Sequence, residues 1–462
     1  MSIKSLPILS FLLLSCLAAS AQVVVDPGVT VGPIKPMNAV NNGPAVANPN
    51  EQTRGNFHEY KALHIPYART HDSAFYTGYG GPHSVDICSI FPDFDKDPDD
   101  PSAYDFTNTD AYLQGMMAAG TQVFFRLGEG IEHTIKKYDI FPPKDYLKWA
   151  KICEHVILHY NEGWADGFHL GIKYWEIWNE PDLDIETWNT KPHTWGGTPE
   201  QFYDFYEVAA KYLDRKFPDL MIGGPALCWS ENWAEEFLKR VRKKNVGLDF
   251  FSWHIYERRV PEFVAKARRI RAMLDRNGFK GVPSFLDEWN YIKGWTDEYV
   301  YSLKEISAVK GAAFAAAVMS ACQDEPVDML MYYDFRPSAF NGAFDQVTYR
   351  PQKTYYSFYA WDKLVQYGTQ VKASAGDGEI YVTAARSDDG RLRVLLTRYS
   401  EDRNITNIRP FKVKVEGAGD GVVYAYLTDT ERSFTEIPLE MKGGVVEGAL
   451  EPDAFVLLDF GK

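Results

Sequence analysis

The chain has 462 residues, of which 45% are hydrophobic and 24% charged. The length allows one large domain plus a small one, or two to three ordinary domains, and the composition predicts a sizeable globular core and not a disordered chain. The formal net charge of −14 at pH 7 argues against nucleic acid as a partner, because phosphate binding needs a basic surface.

Residues 1–21 have the pattern of a secretory signal peptide. Lys4 precedes an apolar run over residues 6–17 that is too short to span a bilayer, and Ala19-Ser20-Ala21 supplies small residues at a cleavage site. A lipoprotein signal is the alternative, with Cys16 carrying the lipid anchor. Both interpretations predict an exported protein, and no later apolar stretch of about 18 residues predicts a transmembrane helix.

Eight short apolar segments follow, each ending in polar residues. This is typical of strands in a parallel sheet that is buried on both faces. The predicted strands are residues 34–40, 64–70, 122–127, 172–178, 220–224, 249–254, 283–287 and 328–334. Eight alternating βα units close into a (β/α)₈ TIM barrel.

Helical patterns lie between these strands. Residues 146–160 place apolar side chains at helical spacing, and Thr198 followed by Pro199 predicts the start of another helix. The Ala-rich residues 302–322 predict one long helix before the eighth strand.

Beyond about residue 368, short β-like runs separated by Gly and Asp turns replace the βα pattern. They cover residues 380–384, 392–397, 411–415, 422–427 and 455–460. We therefore expect a catalytic barrel over residues 22–367 and a small β-sandwich over residues 368–462, to which residues 23–31 could add a strand.

Two glutamates end predicted strands four and seven. Glu180 lies in Trp178-Asn179-Glu180-Pro181 and Glu288 in Asp287-Glu288-Trp289, 108 residues apart. In a TIM barrel the active site lies at the carboxyl ends of the strands, so these side chains should face each other. Cleavage of a glycosidic bond needs such a pair, with one carboxyl protonated and the other ionised.

The chain resembles clan A glycoside hydrolases, and most closely family 39, whose known members include β-xylosidases and α-L-iduronidases. The residues that carry the resemblance lie in five segments, which begin at Lys35, Arg69, Trp178, Ser252 and Asp287. They read Lys35-Pro36-Met37-Asn38 with Asn41-Asn42-Gly43-Pro44, Arg69-Thr70-His71-Asp72, Trp178-Asn179-Glu180-Pro181-Asp182, Ser252-Trp253-His254-Ile255-Tyr256 and Asp287-Glu288-Trp289-Asn290.

The resemblance implies a retaining enzyme of β-xylosidase-like specificity that acts on a carbohydrate, with Glu180 as acid/base and Glu288 as nucleophile. It further implies that Asn179 binds the sugar 2-hydroxyl. Supporting positions are Arg69 and Tyr256, which would orient Glu288, together with His71, His254 and Trp289.

Asp334 and Arg336, at the end of the eighth predicted strand, depart from the familiar family members. They would bind a charged or unusual sugar, or else pair with each other. Glu129, at the end of strand three, is expected to contact sugar hydroxyls.

No metal or other cofactor is expected, because two carboxylates supply acid, base and nucleophile. The acidic run Asp93, Asp95 and Asp97 resembles the start of a calcium loop but lacks the Gly and Glu that complete one. Cys88, Cys153, Cys228 and Cys322 are widely scattered, which favours buried thiols.

Two other classes of function are weighed against hydrolysis. A non-catalytic carbohydrate-binding barrel would not need both Glu180 and Glu288. An aldolase or isomerase barrel would need a Schiff-base Lys or metal ligands at strand ends, and none of the predicted strands ends that way.

Overall fold

The computed structural model describes residues 20–46, 54–71 and 83–461. Most of the predicted signal peptide, including Cys16, lies outside these ranges. The described chain forms two closed sheets, an eight-stranded barrel and a nine-stranded sheet. The first strand, β1 (Ala21–Pro33), belongs to the second sheet.

The barrel contains eight parallel strands that follow each other in chain order around the ring. They are β2 (Ala39–Asn41), β3 (Tyr67–Arg69), β4 (Gln122–Leu127), β5 (Tyr174–Ile177), β6 (Met221–Leu227), β7 (Phe251–Tyr256), β8 (Ser284–Asn290) and β9 (Met329–Tyr332). Every predicted strand overlaps an observed one, so the TIM barrel prediction is confirmed.

Ten helices occur in the described ranges, most of them packed around the barrel. They are α1 (Phe57–Lys61), α2 (Ile87–Ile90), α3 (Thr107–Ala118), α4 (Tyr146–Glu162), α5 (Pro199–Lys216), α6 (Glu231–Lys243), α7 (Val260–Arg276), α8 (Tyr299–Ile306), α9 (Val309–Gln323) and α10 (Lys353–Val365). Thr198 caps α5 through a reciprocal pair of hydrogen bonds with Gln201, as its position before Pro199 predicts.

The single helix predicted over residues 302–322 is wrong, because two helices, α8 and α9, bend by 78° at a break. The Ser307 hydroxyl donates to the carbonyl of Leu303 at the end of α8, and Ala308 is extended with ψ 179°. A Ser side chain that satisfies a terminal carbonyl favours a helix end over continuation. Within the described ranges no single helix is long and apolar enough to cross a membrane, whereas α8 and α9 together meet the length and composition requirement.

The barrel interior is layered. An apolar layer of Ala39, Phe124, Phe250, Phe285, Met329 and Met331 fills it below the carboxyl ends of the strands. The Phe250 and Phe285 rings are stacked with centroids 5.2 Å apart. This layer excludes water from beneath the polar groups above it, which strengthens their electrostatic interactions.

The second sheet, here the β-domain, contains β1 and eight later strands. These are β10 (Thr369–Ala375), β11 (Ile380–Arg386), β12 (Leu392–Arg398), β13 (Arg409–Val415), β14 (Gly421–Thr428), β15 (Thr435–Lys442), β16 (Val445–Leu450) and β17 (Ala454–Phe460). The sequence prediction missed β10, β15 and β16. The closed, sandwich-like sheet includes β1, which pairs with β10 and β13.

The β-domain packs against helices α9 and α10 of the barrel. In α9, the buried Lys310 ammonium donates to the carbonyl of Ser400 at 2.6 Å and pairs with Asp453 at 3.0 Å. The Phe314 ring contacts Tyr399 with centroids 5.5 Å apart. These contacts brace α9, which packs in turn against β8.

Candidate active site

Glu180 and Glu288 lie together at the mouth of the barrel, the face where the strands end. A carboxylate oxygen of each lies within 4.8 Å of the other and of a ring nitrogen of His254. Both glutamates are buried. The structure therefore brings together the two carboxylates that the sequence singles out.

The turn after β5 positions Glu180 with an unusual backbone. Trp178 has φ 75° and Glu180 has φ 47°, a left-handed region that side chains other than Gly seldom occupy. The turn is fixed because the Glu180 amide donates to the carbonyl of Ala226 at 3.0 Å and the Thr194 hydroxyl donates to the carbonyl of Glu180. Such local strain persists only where the surroundings enforce it, and it is typical of functional sites.

A register shift in β8 positions the other carboxylate. Pairing with β7 jumps from Leu286 to Glu288, so Asp287 is left out of the ladder. In a regular strand successive side chains point to opposite faces. Here the bulge lets Asp287 and Glu288 both approach the Arg69 guanidinium, at 3.2 Å and 2.8 Å.

Arg69, at the end of β3, is the fully buried centre of the site. Its Nη1 donates to Glu288 at 2.8 Å and its Nη2 to the Asn179 side-chain oxygen at 2.7 Å, while Nε donates to Glu176 at 2.6 Å. With its oxygen held by Arg69, Asn179 keeps Nδ2 as a donor, and this buried nitrogen has no partner among the described residues.

Glu288 is surrounded by groups that favour its charged form. The Tyr256 hydroxyl donates to Oε2 at 2.7 Å, and His71 Nε2 lies 3.1 Å from Oε1. Burial by itself raises the pKa of this carboxyl, but the charges of His254, His71 and Arg69 outweigh burial and hold the pKa well below its usual range. Glu288 is therefore an anion at neutral pH.

His254 bridges the two carboxylates. Its Nδ1 lies 2.7 Å from Glu180 Oε1 and 3.6 Å from Glu288 Oε2, and its Nε2 lies 3.4 Å from Asp287. Burial lowers the pKa of the imidazole, but Glu288, Asp287 and Glu180 together raise it to about 10. The protonated ring thus offers an N–H to Glu180 and another to Asp287.

Two buried acids, Glu176 and Asp287, lie beneath the pair. The sequence analysis gave neither of them a role. Burial raises the pKa of Glu176 to about 8, although Arg69 opposes this, whereas Arg69 and His254 lower the pKa of Asp287 against its burial. Glu176 Oε1 also accepts from the Ser252 hydroxyl. Glu176 therefore holds a proton at neutral pH while Asp287 is ionised, and this limits the negative charge under Glu288.

Trp289 does not line the cleft, which corrects the role expected from its place beside Glu288. Strand alternation sends its ring outward, against Phe263 in α7 with centroids 6.0 Å apart and against Phe314 in α9 at 6.1 Å. Trp289 is a fully buried core residue between the barrel and its helices.

Glu129 lies outside the Glu180–Glu288 cluster, in a second buried group. Its Oε1 accepts from the Cys88 amide at 3.2 Å. Burial, with Asp86 nearby, raises the pKa of Glu129 well above its usual value. Potential ligand atoms of Asp86, Cys88 and Glu129 lie within 4.8 Å of one another, but Asp86 already binds Arg126 and accepts from the Gly130 amide.

The remaining predicted positions pair locally. Arg336 Nη2 lies 3.5 Å from Asp334, which also accepts from the Ser338 hydroxyl at 3.2 Å. In the acidic run, Asp95 faces Lys144 at 3.4 Å, and the clusters of potential metal ligands in the described chain do not include it.

The structure shows an aromatic wall beside Glu288, of which the sequence analysis identified only Tyr256. It consists of Tyr256, Trp295, Tyr333 and Phe340. The Trp295 ring is half-exposed and lies 5.2 Å from the Tyr256 ring, while Tyr333 contacts His71 and Phe340. An exposed Trp soon after a strand that ends in a candidate nucleophile is the signal that could have identified it.

Comparison with known proteins assigns the family. The model of glycosyl hydrolases family 39 matches residues 65–363, about two thirds of the chain. The chain belongs to glycosyl hydrolases family 39. This is a retaining family of clan A, and the matched region contains every residue of the Glu180–Glu288 cluster.

Individual relatives are distant. The chain is 25% identical over 354 residues to a β-xylosidase from Geobacillus stearothermophilus, a match that covers 67% of this chain but only 65% of that protein. The solved structure of a glucosidase from Croceicoccus marinus has TM-score 0.76 at 22% identity, covering 96% of this chain and 99% of its own. A monomeric β-xylosidase from Caulobacter crescentus has TM-score 0.69 at 18% identity, covering 95% and 99%. These two structures share the fold along nearly the whole chain.

Proposed function

We propose that this protein is a retaining glycoside hydrolase that cleaves a β-xyloside by double displacement. The observation that carries the proposal is the close approach of Glu180 and Glu288, with carboxylate oxygens within 4.8 Å. Retaining glycosidases hold their carboxyl groups about 5–5.5 Å apart, whereas inverting ones leave roughly 6.5–9.5 Å for a water molecule.

In the first step a Glu288 oxygen attacks the anomeric carbon as the bond to the leaving oxygen breaks. Glu180 gives its proton to that oxygen, so the leaving group departs as a neutral alcohol and a glycosyl ester forms on Glu288. When the ester forms, Glu288 loses the negative charge that the Tyr256 hydroxyl and Arg69 stabilise in the resting enzyme.

In the second step Glu180, now ionised, takes a proton from water. The resulting oxygen nucleophile attacks the anomeric carbon, the ester bond to Glu288 breaks, and Glu180 is again protonated. Two inversions at one carbon give net retention. His254, 2.7 Å from Glu180, stabilises the ionised form of this carboxyl between the two steps.

Asn179 supplies a contact to the substrate. Its Nδ2 is buried and without a partner among the described residues, and its oxygen is fixed by Arg69, so the amide orientation is set. A hydroxyl at C2 of the bound sugar is the expected acceptor. Hydrogen bonds to this hydroxyl strengthen in glycosidase transition states.

The β-xyloside assignment rests on curated relatives of which this chain spans about two thirds or less. An α-L-iduronidase-like specificity would need a cation for the uronate carboxylate, but Arg336 is already paired with Asp334. A merely carbohydrate-binding barrel is disfavoured because such a role does not require an ionised Glu288 beside Glu180.

The test is a panel of aryl glycosides that includes β-xyloside, β-glucoside, α-L-arabinofuranoside and α-L-iduronide, with Glu288→Ala as the inactive control. We expect the highest kcat/KM on the β-xyloside and a first-formed product of β configuration by NMR. An α product would contradict the retaining mechanism. Turnover should survive chelation, because the two carboxylates supply all the proton transfers.

We also propose that the protein is exported, on the basis of the signal-like residues 1–21. The mature N-terminus, determined by mass spectrometry of protein from the native host, should begin at Gln22. A lipid-modified N-terminus at Cys16 would instead show the lipoprotein alternative, and retention of residues 1–15 would contradict both.

A further inference from the structure

A groove on the outside of the barrel stands apart from the catalytic carboxylates. It has a volume of about 730 Å³ and runs between α5 and α6, within the range of small-molecule sites in proteins. Its apolar side contains Tyr203, Trp229 and Trp233. Helices of βα units begin at the mouth of the barrel, so the upper end of this groove opens on the catalytic face.

Trp229 forms the edge of the groove nearest the active site. The amides of Cys228, Trp229 and Ser230 all donate to the Asp182 carboxylate, at 2.7–2.8 Å. Asp182 is two residues from Glu180 in the same turn. One buried acid therefore ties the Trp229 segment to the turn that carries the proposed acid/base.

The Trp229 ring is held in place while it faces solvent. Its indole N–H donates to the carbonyl of Leu183 at 3.2 Å, yet the residue is 50% exposed. Together with Tyr203 and Trp233, which line the same groove, it forms an aromatic side of the cleft. Its flat face suits the C–H face of a sugar ring.

The charges of the groove are balanced. Three acids and three bases line it, namely Glu186, Glu200, Glu236, Lys239, Arg240 and Lys243. Lys239 pairs with Glu236 at 2.7 Å, and Arg240 pairs with Asp204. The chain as a whole has a net charge of −14, but this groove has no excess of either sign. It therefore favours an uncharged ligand over an anion or a cation.

We propose that this groove, the Trp229 groove, is an accessory binding site for a neutral polysaccharide chain. The groove would hold the substrate on the side of Glu180, where the leaving group departs. This inference therefore rests on the proposed function. Residues of the polymer beyond the cleaved bond would then stack on Trp229, so the site would raise affinity for long substrates and leave small ones unaffected.

Affinity electrophoresis of the full chain in gels containing xylan, mixed-linkage β-glucan or polygalacturonate tests this. A Glu288→Ala background prevents digestion of the gel. We expect retardation by a neutral polymer, a Kd about tenfold weaker in Trp229→Ala, and a near-parental Kd in Trp229→Phe. Tyr424→Ala, which removes a similarly exposed ring (48%) from the β-domain, is the matched control.

The proposal is overturned if Trp229→Ala is retarded as strongly as its parent, if no neutral polymer retards the parent, or if polygalacturonate binds best. With Glu288 restored, Trp229→Ala should keep its kcat/KM on aryl glycosides. Failure of the proposed function is distinguishable, because it would remove aryl glycoside hydrolysis and leave the Trp229-dependent retardation in place.

Discussion

The two ends of the catalytic pair differ in what surrounds them. Glu288 accepts hydrogen bonds from Arg69 and Tyr256, has His71 beside it, and lies on a strand. Glu180 lies in a strained turn, and its carboxylate has the His254 imidazole and the Cys228 thiol as neighbours. The permanent charge of Arg69, together with His254 and His71, holds Glu288 ionised.

The difference also extends beneath the pair. Under Glu288, Glu176 is protonated and Asp287 ionised, so Arg69 balances two carboxylates rather than three. On the Glu180 side lies the buried Asp182, whose oxygens accept hydrogen bonds from three backbone amides. We therefore propose a fixed anion at Glu288 and a movable proton at Glu180.

The largest expected effect comes from removing the fixed anion. Glu288→Ala should lower kcat by about 10⁵-fold on every substrate, because no other group can form the covalent intermediate. Initial rates on the best aryl glycoside measure this, with circular dichroism as a check of folding. Rescue of Glu288→Ala by azide, with an inverted glycosyl azide as the product, would support the role of Glu288 as the nucleophile. Substantial residual activity without azide would exclude it.

Removing the movable proton should be milder and depend on the leaving group. We expect Glu180→Ala to lose roughly 10²–10⁴-fold on substrates with poor leaving groups, and much less on dinitrophenyl glycosides. The glycosyl ester should accumulate because water lacks a base. Azide should rescue turnover and give a glycosyl azide of retained configuration. An inverted azide from this variant would show that the two roles are reversed.

A smaller effect is expected from the groups that hold Glu288 ionised. His254→Gln removes a positive charge, so the pKa of Glu288 should rise from its depressed value. The acidic limb of kcat/KM should move to higher pH by about one unit, which a pH–rate profile extended to strongly acidic pH measures. Tyr256→Phe should shift it in the same direction. A limb that moves to lower pH in His254→Gln would contradict the assignment.

The sequence predicts some of this arrangement and cannot predict the rest. Glu180 and Glu288 could be found because strand ends in a TIM barrel converge and the motifs mark them. The approach of both Asp287 and Glu288 to Arg69 depends on a bulge, which strand periodicity does not reveal. The position of the Trp289 side chain was not predicted correctly. Neighbouring side chains of a strand point to opposite faces, so the residue after Glu288 points away from the cleft. The break between α8 and α9 was missed because the Ala-rich pattern continues through it.

The smallest expected effect concerns the half-exposed Trp295, on the Glu288 side of the cleft. Trp295→Ala should raise KM several-fold on aryl glycosides with little change in kcat, because its half-exposed ring contacts the rings of Tyr256, Tyr299 and Phe340. Trp289→Ala is the matched control, because Trp289 lies in β8, the strand that precedes Trp295. It should lower the free energy of unfolding by about 3–5 kcal/mol, whereas Trp295→Ala should change it by less than about 0.5 kcal/mol. Chemical denaturation and steady-state kinetics on both variants separate the two outcomes. If Trp295→Ala instead lowered kcat as much as Tyr256→Phe does, the aromatic wall would act by positioning Glu288 and not by binding sugar. The difference between the surroundings of Glu288 and Glu180 would then include the surface of the cleft.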